Sequence, residues 1–303
     1  MNNLIKRYKY LLISIILFLF IKNINIVILS TKEASNIFFN KVFITVFPFI
    51  ILSDILIYYD YHIFLSKTIG KFLSKLFNID ANTTIIFILS MLTSNPNNAV
   101  IVKEMLDKKI IDEDTANKII PYTFFPSISY VIGTVGIGIF NSLKTGFFIW
   151  LTILFNNILI GIFQRKQKSN NINYISKKEK SILIVIKNSI LKGFNTSFII
   201  LGNLIIFITI TNFIIKYSNM DSTIISILSS ILESTNGINQ ISLLNINTNY
   251  KIVLITFALL FSSLSILFQS FSLLSDYKIN IKRILIIKLV FSLIISLIIK
   301  TIF

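Results

Sequence analysis

Apolar residues fall into blocks along this chain, and the length of each block is its most informative property. A membrane-spanning helix needs roughly 17 to 25 mostly apolar residues at about 1.5 Å of rise each. Blocks of that size lie at 42–59, 119–140, 147–163, 195–215, 252–274 and 284–303. Another begins at Tyr10 and continues past Lys22 to Leu29. It lacks a small-x-small cleavage site, so it reads as a retained first helix with Lys22 snorkelling to an interface. The pattern predicts an all-α polytopic membrane protein with about seven transmembrane helices.

Two shorter blocks do not fit that series. Residues 84–93 are apolar, Ser94-Asn95-Pro96-Asn97-Asn98 interrupts them, and residues 99–106 resume. Residues 223–232 are apolar, Glu233-Ser234-Thr235-Asn236-Gly237 interrupts, and residues 238–246 resume. Ten helical residues cover only about 15 Å of a hydrocarbon core about 30 Å thick. Each pair of half-helices therefore reads as a re-entrant hairpin with a polar tip, one at 84–106 and one at 223–246. Between residues 59 and 80, Ile63, Leu65, Ile69, Phe72 and Leu73 alternate with Lys67, Lys71 and Lys75, the pattern of an amphipathic helix on the inner membrane surface.

Charge orients these elements. The formal net charge is +16 with 54% hydrophobic residues, and the mean hydropathy is +0.80. In a soluble protein that charge would suggest nucleic acid, but here it sits between apolar blocks, as cytoplasmic loops do, so the partner is the lipid bilayer and not nucleic acid. Lys6, Arg7 and Lys9, and the loop Arg165 to Lys192 with its single acid Glu179, place the N-terminus and that loop in the cytoplasm. The first hairpin then opens inward and the second outward. The organisation expected is a first helix and outer loop (1–41), a first repeat (42–163), a basic cytoplasmic linker (164–194) and a second, inverted repeat (195–303). Inverted repeats with discontinuous elements point to a midplane binding site.

The candidate chemistry lies at the hairpin tips. Pro96 lacks an N–H and keeps Asn95 out of helical geometry, so one helix ends there and another begins. Asn97 and Asn98 then flank free backbone N–H groups, which suit a carboxylate or phosphate, or they simply cap the break. Glu233, an ionisable group that costs about 2.5–3.5 kcal/mol at membrane depth, is placed to bind a coupling cation, a substrate hydroxyl or a proton. Thr235 and Asn236 accompany it, and Gly237 supplies a left-handed turn. Gln269, with Ser262, Ser263, Ser265 and Ser270, forms a polar stripe that joins helices or faces the ligand. Asp54 is expected at an interface. Gly133, Gly136 and Gly138 allow close packing. With no cysteine and one histidine, His62, no multi-histidine metal site or thiolate chemistry arises, and no catalytic spacing appears, so neither an enzyme nor a cofactor is expected.

The stretches Ser94 to Ala99, Tyr130 to Gly136, Leu232 to Ile238 and Phe261 to Gln269 together resemble the nucleoside-recognition, or Gate, domain family. That family is related to concentrative nucleoside transporters, and within it the chain is similar to the YlbJ-type sporulation integral membrane proteins. The resemblance implies transport of a small, anionic molecule, dipicolinate, across the outer forespore membrane during sporulation. Asn97, Asn98 and Val100 stand where the family carries a Ser-Gly pair and a later Lys, and Ile128 replaces a Pro, departures that bear on the substrate. Two alternatives stand beside it: a nucleoside or ion transporter of the same fold, and a non-transporting scaffold working through the 165–192 loop.

Overall fold

The computed structural model describes residues 10, 14, 15, 17–166 and 181–302. The Lys6, Arg7 and Lys9 cluster and residues 167–180 of the expected linker lie outside the described residues.

Helix α1 (Ile24–Ile37) continues through a π-helical segment (Phe38–Phe43) into α2 (Ile44–Tyr58) without reversing. The outer loop expected over residues 30–41 is therefore helical. Its polar residues mimic a loop in the hydropathy, but Ser30 and Glu33 are bonded to another helix rather than to water. That helix, α9 (Ile182–Tyr217), begins inside the expected linker and runs antiparallel to α1–α2 over its whole length. Asn212 donates to Ser30 Oγ at 3.0 Å near one end, and Lys192 reaches Asp54 at 2.8 Å near the other. Between them, Ala34, Phe38, Val46 and Ile50 pack on Ile200, Leu204 and Ile208.

The amphipathic stretch forms two helices, α3 (Tyr61–Ser66) and α4 (Ile69–Phe77), which bury Leu65, Leu73 and Phe77 and expose Lys67, Lys71 and Lys75. Both hairpins form close to their expected bounds. The first pairs α5 (Thr84–Thr93) with α6 (Asn97–Asp107), the second α10 (Ser222–Leu232) with α11 (Ser234–Leu243).

Two of the expected spans are broken. Over 119–140 the chain forms α7 (Glu113–Ile119), a 3-10 turn (Ile120–Tyr122), an irregular stretch at 123–127 and a π-helix (Tyr130–Ile139). Pro121 and Pro126 account for this, since each lacks a donor and disfavours helix in the residue before it. Over 252–274, α12 (Thr248–Phe261) and α13 (Leu264–Leu273) are separated by Ser262 and Ser263, at φ of 70° and 42°. The remaining long helices are α8 (Leu143–Phe163) and α14 (Ile281–Ile302). Among the described residues, four helical runs are long and apolar enough to cross a membrane, 143–163, 182–217, 248–273 and 281–301. A fifth is added if the pair 69–77 and 81–93, bent by 105°, is one span. Of the seven expected spans, the first lies partly outside the described residues, 42–59 and 119–140 yield only the shorter apolar helices 46–58 and 130–139, and 252–274 still counts as one run despite its break.

One buried cluster of charges is matched across elements. Asp54 on α2, expected at an interface, is buried within the protein, accepting from Ser189 at 2.5 Å and Lys192 at 2.8 Å. Lys192 also holds Glu104 on α6 at 2.5 Å, and Lys108 sits 3.3 Å from the same carboxylate. Two acids and two lysines from α2, α6 and α9 neutralise one another where any single buried charge would cost several kcal/mol, of order 3–5 on removal of a partner. Of the three glycines expected to allow close packing, Gly136 does so. A Cβ there would lie 2.6 Å from Gly146 Cα on α8, whereas Gly133 has open space.

Candidate functional site

Four discontinuities converge on one cavity of about 370 Å³: the tip of each hairpin, the 123–129 segment and the Ser262–Ser263 break. That volume lies in the usual range for small-molecule pockets, about 300–1,000 Å³. Ser94, Asn95 and Pro96 line it from the first tip, Pro126, Ser127 and Tyr130 from the first broken helix. Glu233, Ser234 and Thr235 face them from the second tip, and Ser262 and Gln269 from the second broken helix. Ile37, Val42, Val46, Ile200 and Leu204, from the long α1–α2 and α9 pair, form an apolar wall.

The first tip is fixed by backbone pairing. Asn95 N–H donates to Phe125 C=O at 2.8 Å, and Phe125 N–H donates to Asn95 Oδ1 at 3.0 Å. Asn95 is thereby locked to the irregular segment, and its Nδ2 is left as a buried donor without a protein acceptor. Ser94, at φ 66° and ψ 171°, occupies a region that side chains rarely adopt. Such strain, found at functional sites, is held in place by the surrounding contacts. Asn97 and Asn98 start α6 as expected, but both are fully buried behind the tip and neither lines the cavity. Asn97 Nδ2 donates to Ser53 Oγ at 3.0 Å and Thr93 Oγ1 at 2.7 Å, tying the hairpin to α2. Asn98 Nδ2 reaches Thr123 Oγ1 at 3.5 Å. The Oδ1 atoms of both have no protein donor, chemistry that suits an ordered water or a monovalent cation.

At the second tip the break is a single residue. Glu233, at φ −140° and ψ 115°, ends α10 and caps α11. Its Oε1 accepts from Thr235 N–H at 3.0 Å and its Oε2 from Asn236 N–H at 2.7 Å. The anion site that a half-helix N-terminus creates is therefore filled by the protein's own carboxylate. Gly237 does not adopt a left-handed conformation, and no glycine among the described residues does. It is needed for proximity: a Cβ at Gly237 would lie 2.1 Å from Ser230 N and 2.2 Å from its Cα. The two arms touch backbone to backbone there.

The site thus gathers Asn95, Pro96, Glu233, Thr235 and Gln269 around the cavity and leaves Asn97, Asn98, Asn236 and Gly237 behind it as supports. Glu233 is 2% exposed, and among the residues whose side chains are described no lysine, arginine or histidine lines the cavity. Gln269 Nε2 is held by Ser265 Oγ at 3.2 Å. Among the described residues no group of three or more histidine, aspartate or glutamate side chains could hold a metal ion. The sequence reading missed Ser127 and Tyr130, whose prolines were legible as breaks, and Glu33, which bonds to Asn236 at 3.1 Å. Its only signal was an acid beside a greasy segment.

No family model matches the chain, and no solved structure matches it. It is 19% identical over 161 residues to the sporulation integral membrane protein YlbJ of Bacillus subtilis (strain 168). The match covers 53% of this chain and 40% of that protein, so the chain corresponds to less than half of its relative's length. This distant relationship and the apolar helices agree on an integral membrane protein.

Proposed function

We propose that the protein is a carrier that moves a small polar solute across a membrane by alternating access to the cavity between its hairpin tips. The observation that carries this reading is the convergence of two hairpin tips and two helix breaks on one cavity that holds a buried carboxylate. Unpaired backbone in lipid is tolerated only where it lines a cavity or is covered by protein, and discontinuous helices meeting at the midplane are how secondary carriers build a site.

The order of elements supports an inverted repeat. A long helix, a hairpin, a broken helix and an unbroken helix follow one another twice, as α1–α2, α5–α6, α7 to the π-helix and α8, then as α9, α10–α11, α12–α13 and α14. The two leading helices are antiparallel, so the halves enter the membrane in opposite senses and each hairpin is re-entrant from its own side.

A role in sporulation is supported by the name of the relative and by the resemblance in the tip motifs. The lining bears on the cargo. With one buried carboxylate and no cationic side chain among the described lining residues, the cavity suits a neutral solute rich in hydrogen-bond donors, or one bearing a positive charge, better than a free dianion. Dipicolinate fits this lining only with its charge compensated by protons or a bound cation. Uptake into proteoliposomes separates these cases. The account expects a neutral hydroxyl-rich solute such as uridine to compete with dipicolinate, and dipicolinate uptake to rise with calcium or with acid. Fast uptake of the bare dianion at neutral pH without a divalent cation contradicts the assignment of the lining.

A further inference from the structure

Glu33 lies on α1, half-buried, in the stretch that hydropathy reads as a loop. Its two carboxylate oxygens serve two different helices. Oε1 accepts from Asn236 Nδ2 at 3.1 Å, in the first turn of the second hairpin's returning arm, and Oε2 accepts from Asn212 Nδ2 at 3.2 Å on α9. Asn212 also donates to Ser30 Oγ at 3.0 Å, one turn before Glu33. Asn236 donates its own backbone N–H to Glu233 Oε2 at 2.7 Å, so a single residue joins Glu33 to the carboxylate that faces the cavity.

The donors are neutral amides, and no lysine or arginine forms an ion pair with Glu33 among the described residues. Holding a half-buried carboxylate without a counter-charge costs part of its solvation. What the charge gains is bond strength: hydrogen bonds to an ionised acceptor are roughly twice as strong as neutral ones. A neutral glutamine could staple α1 to α9 with one acceptor. Gripping a second, separate element at the same time takes both oxygens. α1 and α11 have little other contact, so this bond is their principal tie.

We propose that Glu33 is the positioning residue that clamps the tip of the second hairpin against the long α1–α9 pair, and that the clamp must release for the tip to move. The first helix thereby takes part in gating the cavity. The proposal deepens the carrier reading and rests on it for its purpose, but tip opening can be followed without any solute. The chain has no cysteine, so Thr235→Cys, on the cavity side of the tip, provides a single thiol. Its reaction with a membrane-impermeant maleimide is timed in sealed vesicles with Glu33 intact, with Glu33→Ala and with Glu33→Gln, and Ser197→Cys, buried on α9, serves as a control.

The clamp predicts that Glu33→Ala speeds labelling of Thr235→Cys roughly tenfold or more, equivalent to at least about 1.4 kcal/mol. Glu33→Gln, which keeps one acceptor, falls between, and Ser197→Cys is unchanged. Equal rates with Glu33 and with Glu33→Ala overturn the proposal. So does parallel acceleration at Ser197→Cys, which marks general loosening, or an absence of labelling at Thr235→Cys in every background. Glu33-dependent labelling in a protein that moves no solute sinks the carrier reading and leaves the clamp standing.

Discussion

Glu233→Ala will abolish solute movement while leaving the protein inserted and folded. Two roles meet in this side chain, and their costs differ. As the cap of α11 it satisfies the N–H groups of Thr235 and Asn236, and losing a cap costs about 0.5–2 kcal/mol, which a protein of this size survives. As the one charged side chain among the described lining residues it sets the electrostatics of the site. Loss of a contact worth about 1.4 to 2.8 kcal/mol lowers affinity tenfold to a hundredfold. Glu233→Gln separates the roles, because it retains one acceptor for the cap and removes the charge. Uptake into proteoliposomes, with thermal unfolding in detergent as the control, should show Gln nearly as stable as Glu and nearly as inactive as Ala. Full activity in the Gln variant assigns Glu233 to capping alone.

Gly237→Ala is expected to be the most destructive single-methyl change in the chain. The added Cβ would lie 2.1 Å from Ser230 N and 2.2 Å from Ser230 Cα. These are backbone atoms of the facing arm, so no rotamer change relieves the clash. The arms of the second hairpin must part, at a cost at or above the roughly 1–3 kcal/mol typical of overpacking, and Glu233 and Thr235 move with them. Gly133→Ala is the matched control, since nothing lies within 4 Å of its Cβ position; it should stay within about 0.5 kcal/mol of the parent. Unfolding midpoints in detergent compare the two directly. Equal midpoints would mean that the arms do not approach as closely as the structure has them.

Both hairpins were legible in the sequence because a polar interruption inside a short apolar run changes hydropathy itself. The breaks at 123–127 and at Ser262–Ser263 do not show in the hydropathy, since they lie inside runs whose average stays apolar. Pro121 and Pro126 hinted at the first, while two serines in a serine-rich stripe gave the second no distinct signal. The loop expected at 30–41 arises the other way, from polar residues on a helix that bond to α9. The partners of Asp54 and Glu33 are illegible for another reason. Their environments are set by Lys192 and Asn212, more than 130 positions away in the chain, and one-dimensional reading has no access to such partners. Glu233 was legible as an intramembrane acid, yet its bonds to its own helix N-terminus, which weigh against an anionic cargo, needed the backbone.

The claim that everything else depends on is that one cavity opens in turn to the two sides of the membrane. Ser127 lines that cavity from the irregular segment between the tips, and in this cysteine-free chain Ser127→Cys is a unique thiol. Its labelling by a membrane-impermeant maleimide is measured in sealed right-side-out and inside-out vesicles, beside a loop cysteine that reports the orientation of each preparation. The account predicts labelling of Ser127→Cys from both sides. Labelling from one side alone, with the loop control behaving as expected, contradicts it.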